Sequence, residues 1–164
     1  MIKKAIFILF LGFLSVFSQN QSSKAPNFEL ENLSGEFVEL KDFLGKGPIL
    51  INFWATWCKP CMEELKIYNK IYEKYKSNNL QMFAISVDNE KSMSKVLPFV
   101  RSNNYKFQVL LDSENQTARD YYVQTVPHTF LINSKGEIVY SHSGFKKGDE
   151  IQIEEHIKKL LKMK

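Results

Sequence analysis

The chain has 164 residues, with 22 Lys and Arg against 18 Asp and Glu for a formal charge of +4, and two cysteines. That length supplies a hydrophobic core without cross-links, so the cysteines are not required as a staple. The charge is too small and too dispersed for a nucleic-acid-binding surface, and the one basic cluster, "HIKKLLKMK", suits the negative end of a C-terminal helix.

Residues 1–18, "MIKKAIFILFLGFLSVFS", carry Lys3 and Lys4, then an apolar run from Ala5 to Phe17, then Ser18. This is the layout of a secretory signal, with cleavage expected after Ser18 and Val16 and Ser18 flanking the cut. A retained membrane anchor is the alternative, but an apolar run of about thirteen residues is short of the ~20 that a spanning helix needs. No cysteine follows the signal, so no lipid anchor on an N-terminal cysteine is expected. Cleavage leaves 20 basic and 18 acidic residues, a formal charge of +2. Residues 19–26 are expected to be a flexible N-terminal segment and 27–164 one domain.

Strand-like and helix-like segments then alternate, the order of an α/β fold. Phe28 to Leu30 and Phe37 to Leu40 predict a hairpin around Asn32 to Glu36, with Gly35 in the turn. "PILINFW" is a continuous apolar run, as in a strand buried on both faces. From Cys58 to Ser77 the pattern is helical, with Cys61, Leu65, Tyr68, Tyr72 and Tyr75 on one stripe. "LQMFAISVD" reads as a second central strand, 91–103 as a helix, "KFQVLLD" as a third strand, and Glu114 to Tyr121 as a short helix. "VQTVPHTFLINSKGEIVYSHSG" reads as two strands joined by a turn at Asn133-Ser134-Lys135-Gly136, and 148–162 as a closing amphipathic helix.

The cysteines of "NFWATWCKPC" therefore sit where a buried strand enters a helix, Cys58 at the helix start and Cys61 one turn in. Unpaired N–H groups and the positive end of the helix dipole stabilise a thiolate there. Lys59 adds a positive charge, and Pro60 is tolerated because a first-turn residue has no helical partner for its N–H. The pattern predicts a low-pKa, exposed nucleophile at Cys58 and a more buried resolving thiol at Cys61. A zinc site is disfavoured, since two cysteines supply half a ligand set and His128, His142 and His156 are remote in sequence. A structural disulfide closing so short a loop removes little chain entropy, and inert buried thiols fit poorly with Trp57 and Pro60 as neighbours.

The chain resembles the thioredoxin superfamily, in particular its exported TlpA/ResA-like branch of thiol-disulfide reductases. The resemblance runs through "APNFEL", "FVELKDFLGK", "ILINFWATWCKPC", "AISVD", "YYVQTVPHTFLI" and "GEIVYSHSG". Its most specific part is Trp-Cys-x-Pro-Cys followed 65 residues later by Val-Pro before a strand. It implies a three-layer fold, a central mixed sheet flanked by helices, with an N-terminal β-hairpin and an inserted helix-strand unit at 91–111. It also implies that Pro127 is cis and lies against the Cys58-Cys61 disulfide, leaving backbone groups of Val126 free to pair with a substrate strand. Trp57 and Pro60 belong to the same substrate-facing surface.

Thioredoxin has a buried Asp in the strand before the motif, where this chain has Asn52, which cannot titrate. The TlpA/ResA-like branch uses a glutamate three residues after the second cysteine, here Glu64. Burial on the helix face of Cys61 would raise its pKa toward neutrality, whereas Glu63 points outward. Glu63 and Glu64 serving only to complement the helix N-terminus is the competing reading. His128 stands where the family has threonine, as a tuning residue or as a surface histidine without a chemical role. Lys66 replaces a helix-kinking proline, predicting a straighter helix.

The implied chemistry is dithiol-disulfide exchange with no cofactor beyond the redox-active disulfide and no metal. Partners would be disulfide-containing extracytoplasmic proteins, apocytochromes c among them, and a membrane thiol-disulfide electron donor. A disulfide oxidase or isomerase is the alternative within enzymes. A copper or haem-delivery module using the two thiols, with His128 or Met62 nearby, is the alternative outside them. A thiol peroxidase shares the "APNF" opening, but Cys58 lacks a Pro-x-x-x-Thr-x-x-Cys setting.

Overall fold

The apolar run Ile49–Trp54 forms β3, an interior strand of the sheet buried at all six positions. A computed structural model describes residues 23–163, so the expected signal peptide lies outside the described residues. β4 (Gln81–Ser86) runs parallel to β3, and β5 (Gln108–Leu111) parallel to β4. Side chains alternate across the sheet, so Ile49, Ile51 and Phe53 enter one core cluster while Leu50 and Trp54 enter the other. That alternation places Asn52 on the face of Leu50 and Trp54.

The outer strands are antiparallel to their neighbours. β6 (His128–Ile132) pairs with β3, and β7 (Ile138–Ser143) with β6. On the other side β1 (Glu29–Asn32) pairs with β5, and β2 (Phe37–Glu39) with β1. The order is β2-β1-β5-β4-β3-β6-β7, the mixed sheet with an N-terminal hairpin that the sequence implied. Both hairpins close on an asparagine. Asn32 Oδ1 accepts from the N–H of Ser34 and Glu36, and Asn133 Oδ1 from Lys135 and Glu137. Each turn then needs a left-handed residue, supplied by Gly35 (φ 84°) and Gly136 (φ 79°).

α1 (Lys59–Tyr75) and α4 (Asp149–Leu160) contribute to one core cluster through Cys61, Leu65, Tyr68, Ile71, Tyr75, Ile153 and Ile157. Ile71 takes a central place that the predicted stripe omitted, and Tyr72 sits at its edge, 6.5 Å from the Phe107 ring. Glu154 joins the two helices by accepting from both Lys74 Nζ (2.7 Å) and Tyr75 OH (2.6 Å). α1 continues unbroken through the exposed Lys66.

Three boundaries differ from expectation. The helix expected over 91–103 is a 3-10 turn at Met93–Lys95 followed by α2 (Val96–Asn103). Pro98 has no N–H for a partner four residues back, so it fits only in the first turn of an α-helix beginning near Val96. α3 is shorter than predicted, Gln116–Asp120, and starts where the Asp112 carboxylate accepts from the N–H of Thr117 and Ala118. Residues 23–26 are held rather than free: Ser23 O accepts from Ile138 N–H and Ala25 N–H donates to Gly136 O, both at 2.9 Å. These bonds occupy backbone groups of the sheet edge that would otherwise be unpaired. No helix among the described residues is long and apolar enough to cross a membrane.

Candidate active site

Where β3 ends, the chain turns through Ala55, Thr56 and Trp57 into α1, and Cys58 is the N-cap (φ −92°, ψ 100°). The turn is fixed from below by Asp88, a fully buried carboxylate just past the end of β4. Asp88 accepts from Thr56 N–H at 2.8 Å, Thr56 Oγ1 at 2.7 Å and Ser86 Oγ at 2.8 Å. Cys58 N–H returns to Ala55 O at 3.1 Å. Cys58 and Cys61 form a disulfide. The Cys61 N–H points at Cys58 Sγ at 3.3 Å, so the helix terminus supplies a donor to this sulfur, and Pro60 lies in the first turn. The same donor and the dipole of a 17-residue helix favour a thiolate once the bond is reduced.

The expected exposed nucleophile is mostly covered: Cys58 is 6% exposed and Cys61 0%, while Trp57 stands 65% exposed. The cover includes the loop before β6, whose Val126 carbonyl oxygen lies 3.6 Å from Cys58 Sγ. A disulfide sulfur has no proton, so this is a packing contact that becomes a hydrogen bond only for a thiol. The Val126–Pro127 peptide is cis, as the resemblance implied. Pro127 is buried and its carbonyl accepts from Gly144 N–H at 2.8 Å, which ties the loop to the end of β7. Among the described residues no backbone acceptor takes the Val126 N–H.

A groove lies on either side of Val126. One, of about 340 Å³, is lined by Trp57, Val87, Arg119, Val123 and Thr125. The other, of about 490 Å³, is lined by Pro60, Pro127, His142, Phe145, Lys146 and Asp149. His142 and Asp149 are paired there at 3.1 Å.

About one turn along α1 from Cys61 is a buried polar cluster. Glu64, Asn52 and Thr129 are each 0% exposed and Tyr68 3%. Asn52 Nδ2 donates to Glu64 Oε2 at 2.7 Å and to Thr129 Oγ1 at 3.0 Å. Thr129 Oγ1 donates to Glu64 Oε1 at 3.3 Å, and Tyr68 OH donates to Thr129 Oγ1 at 3.2 Å. Burial raises the Glu64 carboxyl pKa to about 7, against the lowering effect of Tyr68, Asn52 and Thr129. Burial likewise keeps the Tyr68 hydroxyl protonated, its pKa well above the ordinary tyrosine value. A carboxyl half-ionised near pH 7 next to a dithiol is suited to moving a proton.

The structure thus brings together Trp57, Cys58, Pro60, Cys61, Glu64, Val126 and Pro127. Lys59 and Glu63 are exposed on α1, and Met62 is half-buried. His128 lies apart from Glu64: its ring stacks on Phe130 at 4.4 Å, in the opposite core cluster, and Nε2 pairs with Ser141 Oγ at 3.0 Å. Burial and then His142 lower its pKa. Sequence reasoning missed Asp88, Tyr68 and Thr129. Asp88 and Thr129 carried a signal, a polar residue within or just after a buried strand. Tyr68 falls on the apolar stripe of α1, where nothing in the pattern marks its hydroxyl.

Residues 22–141 match the AhpC/TSA family. The thiol-disulfide oxidoreductase ResA of Bacillus cereus is 36% identical over 155 residues, spanning 94% of this chain and 87% of that protein. Among solved structures, a candidate DsbE thiol:disulfide interchange protein from Chlorobium tepidum superposes with a TM-score of 0.79 at 31% identity, covering 85% of this chain and 96% of that one. StoA from Bacillus subtilis superposes with a TM-score of 0.67 at 27% identity, covering 80% and 96%.

Proposed function

The chain belongs to the AhpC/TSA family and is a thiol-disulfide oxidoreductase of the ResA type; from that premise we propose that it acts as a reductant of disulfides in extracytoplasmic proteins. The observation that carries this reading is the Cys58–Cys61 disulfide at the head of α1, packed on Val126, with the buried Glu64 about one turn along from Cys61.

In the reduced protein the Cys58 thiolate attacks one sulfur of a substrate disulfide and expels the other as a thiolate. A mixed disulfide joins Cys58 to the substrate. Glu64 takes the proton of Cys61, whose thiolate then attacks Cys58 Sγ and expels the second substrate sulfur. Two electrons have passed to the substrate, and the protein is left with the Cys58–Cys61 bond. The substrate strand lies along Val126, flanked by Trp57 and Pro60, with Pro127 shaping the loop. Lys59 and the helix terminus favour the Cys58 thiolate, and His128 acts at most through the loop it follows.

Export by residues 1–18, with cleavage after Ser18, places these substrates outside the cytoplasm, apocytochromes c before haem attachment among them. Because the protein finishes oxidised in an oxidising compartment, a membrane thiol-disulfide donor must return the two electrons. The deciding measurement is the reduction potential of the Cys58–Cys61 pair, with Cys61→Ser as control. A value below about −230 mV supports the reductant reading; one near −120 mV makes the protein an oxidant. Absence of a reversible two-electron couple would leave a thiol-based metal or haem carrier as the better account.

A further inference from the structure

We infer that Thr129 is a positioning residue for the deprotonation of Cys61: its hydroxyl holds the Glu64 carboxylate in its ionised, proton-accepting form and joins it to Tyr68. The inference rests on the reading of Glu64 as the base.

Thr129 lies on β6, directly across from Asn52 on β3, and its side chain is fully buried. A hydroxyl has one proton to give and two lone pairs to fill. Asn52 Nδ2 fills one lone pair and Tyr68 OH the other, at 3.0 and 3.2 Å. The amide nitrogen cannot accept, and the Tyr68 hydroxyl, which also lies within reach of Glu64, donates to Thr129 Oγ1. The Thr129 proton is therefore directed at Glu64 Oε1, 3.3 Å away. Asn52 Nδ2 serves Oε2, so each carboxylate oxygen receives one donor in a region closed to water. The remaining buried polar atom of the cluster, Asn52 Oδ1, has no partner, which is consistent with the nitrogen end of the amide being turned to a carboxylate.

Two donors favour the charged form against the dehydration that opposes it. The other titratable groups facing this site are Tyr68 on α1, Tyr140 on β7 and Asp149 at the start of α4. Cys61 lies about one turn back along α1, and Cys58 is its N-cap. The Asp149 charge disfavours ionised Glu64 and is itself paired with His142. Tyr68, Asn52 and Thr129 are thus the groups that together offset burial and Asp149, and Thr129 is the one that Tyr68 and Asn52 both reach. Without the Thr129 hydroxyl the carboxyl holds its proton to higher pH and is less available to accept one from Cys61 at neutrality.

The test is the pH profile of single-turnover reduction of a small disulfide by the reduced full chain, in wild type, Thr129→Val, Thr129→Ser, Tyr68→Phe and Glu64→Gln. Thr129→Val should move the midpoint of the profile up by about one pH unit, a slowing of about tenfold below the midpoint that closes at high pH. Thr129→Ser should restore the wild-type midpoint, and Tyr68→Phe, which removes a separate donor while leaving the Thr129 hydroxyl on Oε1, should raise it as well. A Glu64→Gln profile equal to wild type would overturn the Glu64 reading itself. If Glu64→Gln is slow but Thr129→Val and wild type superimpose, or Thr129→Val slows Glu64→Gln as much as wild type, the Thr129 role alone is overturned. Should Thr129→Val fail to fold, a Thr129→Ser midpoint displaced further than that of Tyr68→Phe would equally overturn it.

Discussion

Asn52 and Glu64 are joined by a 2.7 Å hydrogen bond with both side chains 0% exposed. One partner is an amide and the other a carboxyl, so the pair has a single titrating group. Burial alone would hold that group neutral at physiological pH. Tyr68, the amide donor and the Thr129 hydroxyl pull it back into the range where both forms are populated, with a pKa of about 7.

Glu64→Gln keeps the size and one of the two accepted hydrogen bonds but removes the proton acceptor. Release of substrate from a mixed disulfide on Cys58 is expected to slow on the order of 10²-fold near pH 7. Formation of that mixed disulfide should change little, because Cys58 is served by the helix terminus. Glu63→Gln, on the exposed side of α1, should match wild type in both steps. Stopped-flow thiol detection separates the two steps, and equal effects of the two substitutions would refute the assignment.

The same carboxyl makes stability depend on pH in the oxidised protein. Its pKa rises from an ordinary 4.5 to about 7 on folding, so between these values the folded chain holds a proton that the unfolded chain has lost. Its contribution is therefore fully present below about pH 4.5 and lost as pH rises toward 7. Relative to Glu64→Gln, wild type should lose about 3 kcal/mol between pH 4.5 and pH 8. Urea unfolding of both proteins across that range isolates the term, because other carboxylates titrate in both. A constant difference would show that Glu64 is ionised throughout.

Most of the sheet was legible because its strands differ in pattern: β3 is continuously apolar, and both hairpin turns announce themselves by asparagine and glycine. The edges of helices were less so, since Pro98 and Asp112 act through backbone groups whose partners are set by tertiary position. The cysteine pair and Pro127 could be placed from short motifs. The Asp88 clamp and the Thr129 link could not, because each joins residues 32 or more positions apart through single polar atoms. His128 follows Pro127 in sequence, yet strand alternation turns its ring to the face opposite Glu64. Cys58 proved mostly covered because the Val126 loop, 68 residues away in sequence, lies on its sulfur.

Gly47 precedes β3, where a Cβ would collide with the carbonyl oxygen of Asn79. A backbone carbonyl cannot swing aside as a side chain can. Gly47→Ala should therefore cost about 2 kcal/mol and lower the melting temperature by several degrees. The reduction potential should stay the same, since the site lies at the opposite end of β3. An unchanged melting temperature would show that the Asn79 turn yields freely.

Asp88 links stability to the reactive turn. Asp88→Ala leaves Thr56 N–H, Thr56 Oγ1 and Ser86 Oγ without their acceptor, and orphaned buried donors cost about 1–3 kcal/mol each before relaxation. The expected loss is about 3 kcal/mol, with Asp88→Asn losing less because its amide oxygen still accepts from Thr56. The turn carries Trp57 and Cys58, so its loosening should weaken docking more than chemistry. Reduction of a folded protein disulfide should slow severalfold in Asp88→Ala while reduction of a small soluble disulfide stays close to wild type. Equal slowing of both substrates would instead mean that Asp88 acts on the sulfur itself, and no slowing of either would reduce it to a purely structural carboxylate.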